Sequence, residues 1–359
     1  MQPSPPVSTL RVAPWPDDRG NPYQRLFYDA LEPYGVRAVA GLTINDGELK
    51  RLAKDIDVVH LHWPEYSWRV GGDGLLAQLR LIVGLARFLR LAHRLRLRVW
   101  WTAHNLVPHE GRRLVNYLGY RVVAAYADLV IAHSRSAADE VTRRYKTRNV
   151  VVVPHGNLRG FYPTPRPRAD VMRQLGMDPA LPMVACVGAV RRYKGIPTAI
   201  DAVAALGGRV QLLVAGNPTP DAGAEEIAAR AQRAPWLRVL LRHTSDQEFA
   251  DFVSASDAIL LPYVQATTSA VLLAAWTFER GVVASDIPCF SDELEGHPFA
   301  GTLAPVGDAP AFARAIESCL SLSEGDRRSA TRAAAAAREW NRCVLPLVTA
   351  LSLQLASTL

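Results

Sequence analysis

Gly188-Ala189-Val190-Arg191-Arg192-Tyr193-Lys194-Gly195 directly follows the apolar run Met183 to Val187, so a buried strand gives way to a turn carrying three cations between two glycines. A turn of this kind at a strand's carboxyl edge suits a diphosphate. Arg191 and Lys194 supply charge, and glycines such as Gly188 let backbone amides approach closely. A solvated basic turn is the plain alternative, so the surrounding pattern has to decide.

Further strand-like runs occur at Asp57 to Leu61, Arg98 to Thr102, Leu129 to Ala132, Val150 to Val153, Val210 to Ala215, Ala258 to Leu261 and Val282 to Ser285. Most are separated by helix-length segments with apolar residues three and four apart, which predicts parallel βαβ construction. Ligands of such sheets sit beyond the carboxyl ends of the strands, where the unusual polar residues of this chain fall.

With 359 residues, 49% of them hydrophobic, the chain can bury two cores. The proline-rich, strand-free stretch Asn157 to Arg168 reads as the connection between two α/β domains. The expected division is residues 1–158 and 159–336, with a C-terminal helix at 337–359, interrupted near Pro346, returning to the first domain. Cys186, Cys289, Cys319 and Cys343 lack metal-ligand or redox spacing and read as buried thiols of a reducing compartment. The first residues lack the pattern of a secretory signal, and no run of eighteen uncharged apolar residues is present.

Charge is unevenly shared. Residues 1–150 hold 22 Lys/Arg against 14 Asp/Glu, net +8, leaving 19 against 20, net −1, for the remainder. A basic first domain implies an anionic partner. On a helix over residues 74–94, Arg80, Arg87, Arg90 and Arg94 share one arc, and Leu81, Leu85, Phe88, Leu89 and Ala92 lie opposite. Leu76 and Val83 project within the arginine arc, so the apolar surface is broader than one face. Such a helix can lie on anionic lipid, or it can be a crossover helix whose arginines are merely solvated. No nucleic-acid-binding pattern is present.

His60, His62 and Glu65 follow one strand, and His104, His109 and Glu110 follow another, so parallel pairing predicts both groups at the rim of a cleft. A zinc reading is disfavoured, because neither HxH nor HNxxPHE has the helical register of a zinc site. Asp55-Ile56-Asp57 imitates a metal-binding DxD but precedes an apolar strand and reads as a helix-to-strand turn.

The ordered pieces Gly20-Asn21-Pro22-Tyr23, Val59 to Glu65, Thr102 to Glu110, Val153-Pro154-His155-Gly156-Asn157, the Arg191 to Gly195 loop, Leu213 to Gly216, Leu261-Pro262-Tyr263 and Thr267-Thr268-Ser269 resemble GT-B-fold glycosyltransferases. The likeness is to bacterial exopolysaccharide and glycolipid β-mannosyltransferases and to the family-four enzymes. The resemblance implies two Rossmann-like, doubly wound domains facing each other across a cleft, an acceptor-binding first domain and a donor-binding second one.

It also implies transfer of a hexose, mannose favoured, from a GDP- or UDP-type nucleotide sugar to a lipid-linked, glycolipid or polysaccharide acceptor, with no cofactor and no metal. In that frame Arg191, Lys194 and Gly188 hold the diphosphate, helped by amides at Thr268 and Ser269, and the turn bearing His243 and Thr244 holds the base. His104 stands beside the donor sugar. Glu110, Glu65 or His104 would supply the base if the reaction inverts, whereas a retaining reaction needs no dedicated base. Asn21, His62, Asn105, His109 and His155 fall on the acceptor side. Helix 74–94 would seat the protein peripherally on the inner face of the plasma membrane.

The pattern departs from the family at three places. Ala266 and Ala274 stand where family-four enzymes carry paired glutamates, and Ala189 where many carry the first arginine of the phosphate loop. A non-catalytic partner subunit or a GT-B sugar-nucleotide epimerase is the alternative.

Overall fold

The computed structural model describes residues 9–39, 41–69, 74–105 and 113–356. The chain divides into two compact units, residues 1–156 with 340–359, and 157–339.

The first unit is a six-stranded, all-parallel sheet: β1 (Leu10–Trp15), β2 (Val36–Ala38), β3 (Val58–Leu61), β4 (Arg98–Thr102), β5 (Leu129–Ala132) and β6 (Val150–Val152), in the order β2-β1-β3-β4-β5-β6. Both faces are covered, which is why its strands read as continuous apolar runs. Alternate residues serve opposite faces. Val59, Val99 and Trp101 pack with Leu85, Phe88 and Leu89 of helix Leu75–Arg94. Val58, Trp100 and Ile131 pack with Phe27 and Leu31 of helix Pro22–Leu31 and with Trp340, Val344, Leu347 and Val348 of the C-terminal helices.

The chain's end therefore belongs to the first sheet's core. Helix Glu324–Ala337 ends before the short helix Trp340–Cys343, and a further helix runs Leu345–Ala356. The interruption expected near Pro346 falls earlier, because Pro346 occupies the first turn of its helix, where a missing N–H costs nothing. Trp340 lies so close on Gly156 that a Cβ there would overlap its ring.

The second unit is again six-stranded and parallel: β7 (Met183–Val187), β8 (Gln211–Ala215), β9 (Leu237–Leu240), β10 (Ala258–Leu261), β11 (Gly281–Ser285) and β12 (Gly301–Ala304), ordered β12-β11-β10-β7-β8-β9. Its first strand lies in the middle, with successive strands added on one side and then the other. The point where the order reverses, between β7 and β10, is where doubly wound sheets bind ligands.

The proline-rich stretch after Gly156 is fixed to this unit rather than left as a free connector. Asn157 Nδ2 donates to Ala335 O at 2.8 Å, and Leu158 N to Thr277 Oγ1 at 3.0 Å. Arg166 bonds the fully buried Asp251 carboxylate through its backbone N and its Nε, each at 2.7 Å.

Candidate active site

Successive strands of the first unit each deliver a histidine at the carboxyl end: His60 and His62 from β3, His104 after β4, His133 after β5 and His155 beyond β6. All five are buried. The rim expected for His60 and His62 is instead a buried hydrogen-bonded series. His60 Nε2 lies 2.8 Å from Thr102 Oγ1, and its Nδ1 lies 2.7 Å from the hydroxyl of Tyr28. That hydroxyl is 3.0 Å from His62 Nε2. His62 Nδ1 is 3.3 Å from His104 Nε2, and His104 Nδ1 is 3.4 Å from His133 Nε2. His133 Nδ1 ends the series 2.9 Å from the carbonyl of Val153.

Aromatic rings clamp the group. Trp63 stacks on His104 at 4.6 Å, and Tyr23 meets the same imidazole edge-on at 4.6 Å. Out of water an imidazolium is costly, so burial pushes His60 down to about 3 and His133 down to about 4. Burial, with adjacent imidazoles adding to it, holds His62 and His104 well below the usual histidine range.

Among the remaining residues expected here, Glu65 is buried and accepts from Asn105 Nδ2 at 3.1 Å. Asn21 caps helix Pro22–Leu31, accepting from Tyr23 N. His155 Nδ1 donates to Gly156 O at 2.8 Å. His109 and Glu110 lie outside the described residues. Asp57 pairs with Arg11 at 3.0 Å in the turn before β3. Among the described residues no group of three or more His, Cys, Asp or Glu is arranged to hold a metal ion.

In the second unit, Gly188 (φ +87°) turns the chain out of β7, Arg192–Lys194 form a single 3₁₀ turn, and helix Ile196–Ala205 follows. Gly195 at φ +61° closes that turn, where a side chain would collide with the carbonyl of Pro262 after β10. The loop is thereby pressed onto the ends of β7 and β10, at the switch point. Lys194 is 8% exposed, its Nζ 3.3 Å from where a Cβ would stand on Gly188 and 5.4 Å from the Tyr263 ring centroid. Burial lowers its amine to about 8, opposed by Cys186 and, to a lesser extent, assisted by the Arg191 charge. The Lys194 amine faces a small pocket also lined by Cys186, Gly188, Ile196, Pro262 and Tyr263.

Ser269 Oγ caps helix Ala270–Thr277 by accepting from Leu272 N at 3.3 Å, and Thr268 precedes it half-buried. Ala274, at a family glutamate position, is fully buried in that helix. His243 is exposed and Thr244 half-buried in the turn after β9. The next helix, Asp246–Ala255, begins with a Ser245–Glu248 capping box, and Glu248, drawn down to about 2 chiefly by its bond to Arg242, is thereby committed to the helix start.

Sequence reasoning missed His133, Tyr23 and Tyr28. His133 was legible, since it follows the apolar run Leu129–Ala132 as His62 follows Val58–Leu61. The tyrosines carry no such signal, because Tyr23, Phe27 and Tyr28 read as the buried side of an amphipathic helix.

Residues 15–156 match the model for Glycosyltransferase Family 4, and residues 181–321 that for Glycosyl transferases group 1. A GDP-mannose:glycolipid 4-beta-D-mannosyltransferase of Xanthomonas campestris pv. campestris is 30% identical over 78% of this chain and 74% of its own length. An alpha-maltose-1-phosphate synthase of Mycolicibacterium smegmatis is 32% identical over 70% of this chain and 65% of its own length. Among solved structures, sucrose-phosphate synthase from Thermosynechococcus elongatus superposes with a TM-score of 0.72 at 19% identity, covering 98% of this chain and 100% of that one. Anabaena HepE in complex with UDP gives 0.72 at 16% identity, covering 96% and 99%. With two doubly wound sheets, both family models in register along it and relatives of that kind, the chain belongs to the GT-B glycosyltransferases of family 4/group 1, hexosyltransferases by class.

Proposed function

We propose that the protein transfers a hexose, mannose in the favoured case, from a nucleoside diphosphate sugar to a lipid-linked, glycolipid or polysaccharide acceptor at a membrane surface. The carrying observation is Lys194, a buried amine with no carboxylate partner among the described residues, held at the switch point of a doubly wound sheet. A diphosphate is the ligand chemistry that compensates such a group. In this reading Arg191 and Lys194 neutralise the leaving diphosphate, with amides from Gly188 and from the start of helix Ala270–Thr277 beside Thr268 and Ser269 adding to them. The turn at His243 and Thr244 takes the base. The Xanthomonas relative's name supports GDP-mannose as donor and a glycolipid as acceptor, while the Anabaena neighbour's UDP keeps a uridine donor in the test.

On the acceptor side we assign Glu65 or Glu110 to take a proton if the anomeric centre inverts, and Asn21, Asn105, His62, His109 and His155 to contact the acceptor. The membrane reading rests on helix Leu75–Arg94. Arg80, Arg87, Arg90 and Arg94 are exposed and have no ion-pair partner among the described residues, and Leu76 and Val83 beside them are 71% and 59% exposed. No described helix is long and apolar enough to cross a membrane.

A thermal-shift panel of GDP, UDP, ADP and dTDP tests the donor side. A bound nucleotide at about 100 Kd stabilises by about 2.7 kcal/mol, and Lys194→Ala removes most of that response. Transfer of labelled mannose from GDP-mannose into a lipid extract tests the reaction. No response to any nucleotide at millimolar concentration overturns the donor assignment, and donor binding without turnover beside the right acceptor favours a non-catalytic subunit.

A further inference from the structure

We infer that His133 is a positioning residue for His104: anchored on the Val153 carbonyl, it fixes His104 as an imidazole protonated on Nδ1, with its Nε2 lone pair turned toward His62. The functional part of this inference rests on His104 standing at the donor sugar, whereas the tautomer itself does not.

The direction of the chain follows from one atom. A carbonyl oxygen only accepts, so the 2.9 Å contact with Val153 O places a proton on His133 Nδ1. A neutral imidazole carries one N–H, so His133 Nε2 is a lone pair. The atom facing it, His104 Nδ1 at 3.4 Å, must therefore donate. His104 Nε2 is then the acceptor for His62 Nδ1 at 3.3 Å, and His62 Nε2 accepts the Tyr28 hydroxyl at 3.0 Å. The Tyr28 oxygen accepts from His60 Nδ1 at 2.7 Å, and His60 Nε2 from Thr102 at 2.8 Å. Every link points one way, and each ring nitrogen in the series has one role.

Adding a proton to His104 would set an N–H on Nε2 against the N–H of His62, and among the described residues the groups acting on that ring, His62, His133, His155 and His60, include no carboxylate. Tyr23 and Trp63, which sandwich the ring, carry no charge to offset one. His104 consequently offers shape and a fixed dipole instead of a proton acceptor, and proton removal from an acceptor falls to a carboxylate, Glu65 or Glu110. The Nδ1–H form is the less favoured tautomer of free neutral histidine, so its presence at His104 reports on His133 rather than on intrinsic preference.

Long-range ¹⁵N–¹H NMR correlations on the ¹⁵N-labelled full chain read the tautomers directly, with His104 assigned by substitution. The expected pattern is Nδ1–H at His104 and His133, unchanged between pH 8 and pH 5.5. An Nε2–H signal at His104, or its titration near the ordinary histidine value, overturns the inference.

Two variants test the anchor. His133→Leu removes the acceptor and should switch His104 to Nε2–H, lowering kcat about tenfold or more while KM for the nucleotide sugar stays within about twofold. His133→Gln, which presents a carbonyl at the Nε2 position, should restore both. Tyr28→Phe breaks the chain on the far side of the anchor and should leave the His104 tautomer unchanged; a switch there would show the direction to be set at the Thr102 end. If His133→Leu does not fold, the wild-type and Tyr28→Phe spectra still decide. An enzyme without turnover but with the expected tautomers refutes the transferase reading alone.

Discussion

Lys194 holds its proton loosely because burial removes hydration that no carboxylate among the described residues replaces. Its folded value, about 8, lies below the ordinary 10.5. The unfolded chain therefore binds a proton across that window which the folded one does not, so this residue's contribution makes stability rise with pH from about 8 to about 10.5. A diphosphate reverses the balance by favouring the ammonium. Nucleotide binding at pH 8.5 should be accompanied by proton uptake, seen as a dependence of calorimetric enthalpy on buffer ionisation heat. Lys194→Met should abolish that dependence and bind the nucleotide at least about tenfold more weakly, as expected for a lost charge-assisted bond of about 1.5–3 kcal/mol. Absence of proton uptake in the wild type would remove Lys194 from the phosphate site. The motif was legible in the sequence as a basic turn. The burial of its lysine was not, because Pro262 and Tyr263, which help enclose the amine, follow β10, far along the chain from the turn.

At the scale of elements, helix Leu75–Arg94 separates two jobs by face. Ile82, Leu85, Phe88, Leu89 and Ala92 are buried against the sheet, while the arginines and Leu76 and Val83 are outside. The double variant Arg87→Glu, Arg90→Glu should leave thermal unfolding nearly unchanged. It should weaken co-sedimentation with vesicles of anionic phospholipid by about 2 kcal/mol or more, roughly 30-fold, at about 1 kcal/mol per charge. Leu85→Ala should do the reverse, costing about 2–5 kcal/mol of stability through a cavity with vesicle affinity retained. Equal binding by the charge-reversed protein would make this an ordinary crossover helix. Both faces were readable from the spacing.

Strand β1 was not readable, since Pro14 lies in it opposite His60 although the strand sits between two neighbours. Proline ordinarily argues against an interior strand. The short strands β2, β9 and β12 also lack a long apolar run, because β2 and β9 each carry an arginine and β12 is small and half-buried.

For the whole molecule, acid should act first on the unit that holds the histidine series. His60, His62, His104 and His133 are neutral when folded and take up protons only when the chain opens. Because their folded values lie below the ordinary 6.5, stability falls as pH drops below about 6.5, down to about 4 for His133 and about 3 for His60. The limiting slope is about 1.4 kcal/mol per pH unit for each group, roughly 5 for four together. Calorimetry between pH 7.5 and pH 5 should show the melting of the first unit moving down steeply. With two units, the transitions are analysed separately rather than as one two-state event. A melting temperature flat over that range would show that these imidazoles are hydrated and already protonated at low pH.

Local pattern by itself determined the strand type, the helical crossovers, the basic face of helix Leu75–Arg94 and the glycine-framed basic turn, because each is written in residues adjacent along the chain. Tertiary structure alone decided which of those residues lose water and whom they meet. Four strand ends and one helix, far apart in sequence, converge to join four histidines, Tyr28, Thr102 and a carbonyl, and that convergence sets charge and tautomer, which no spacing of residues encodes.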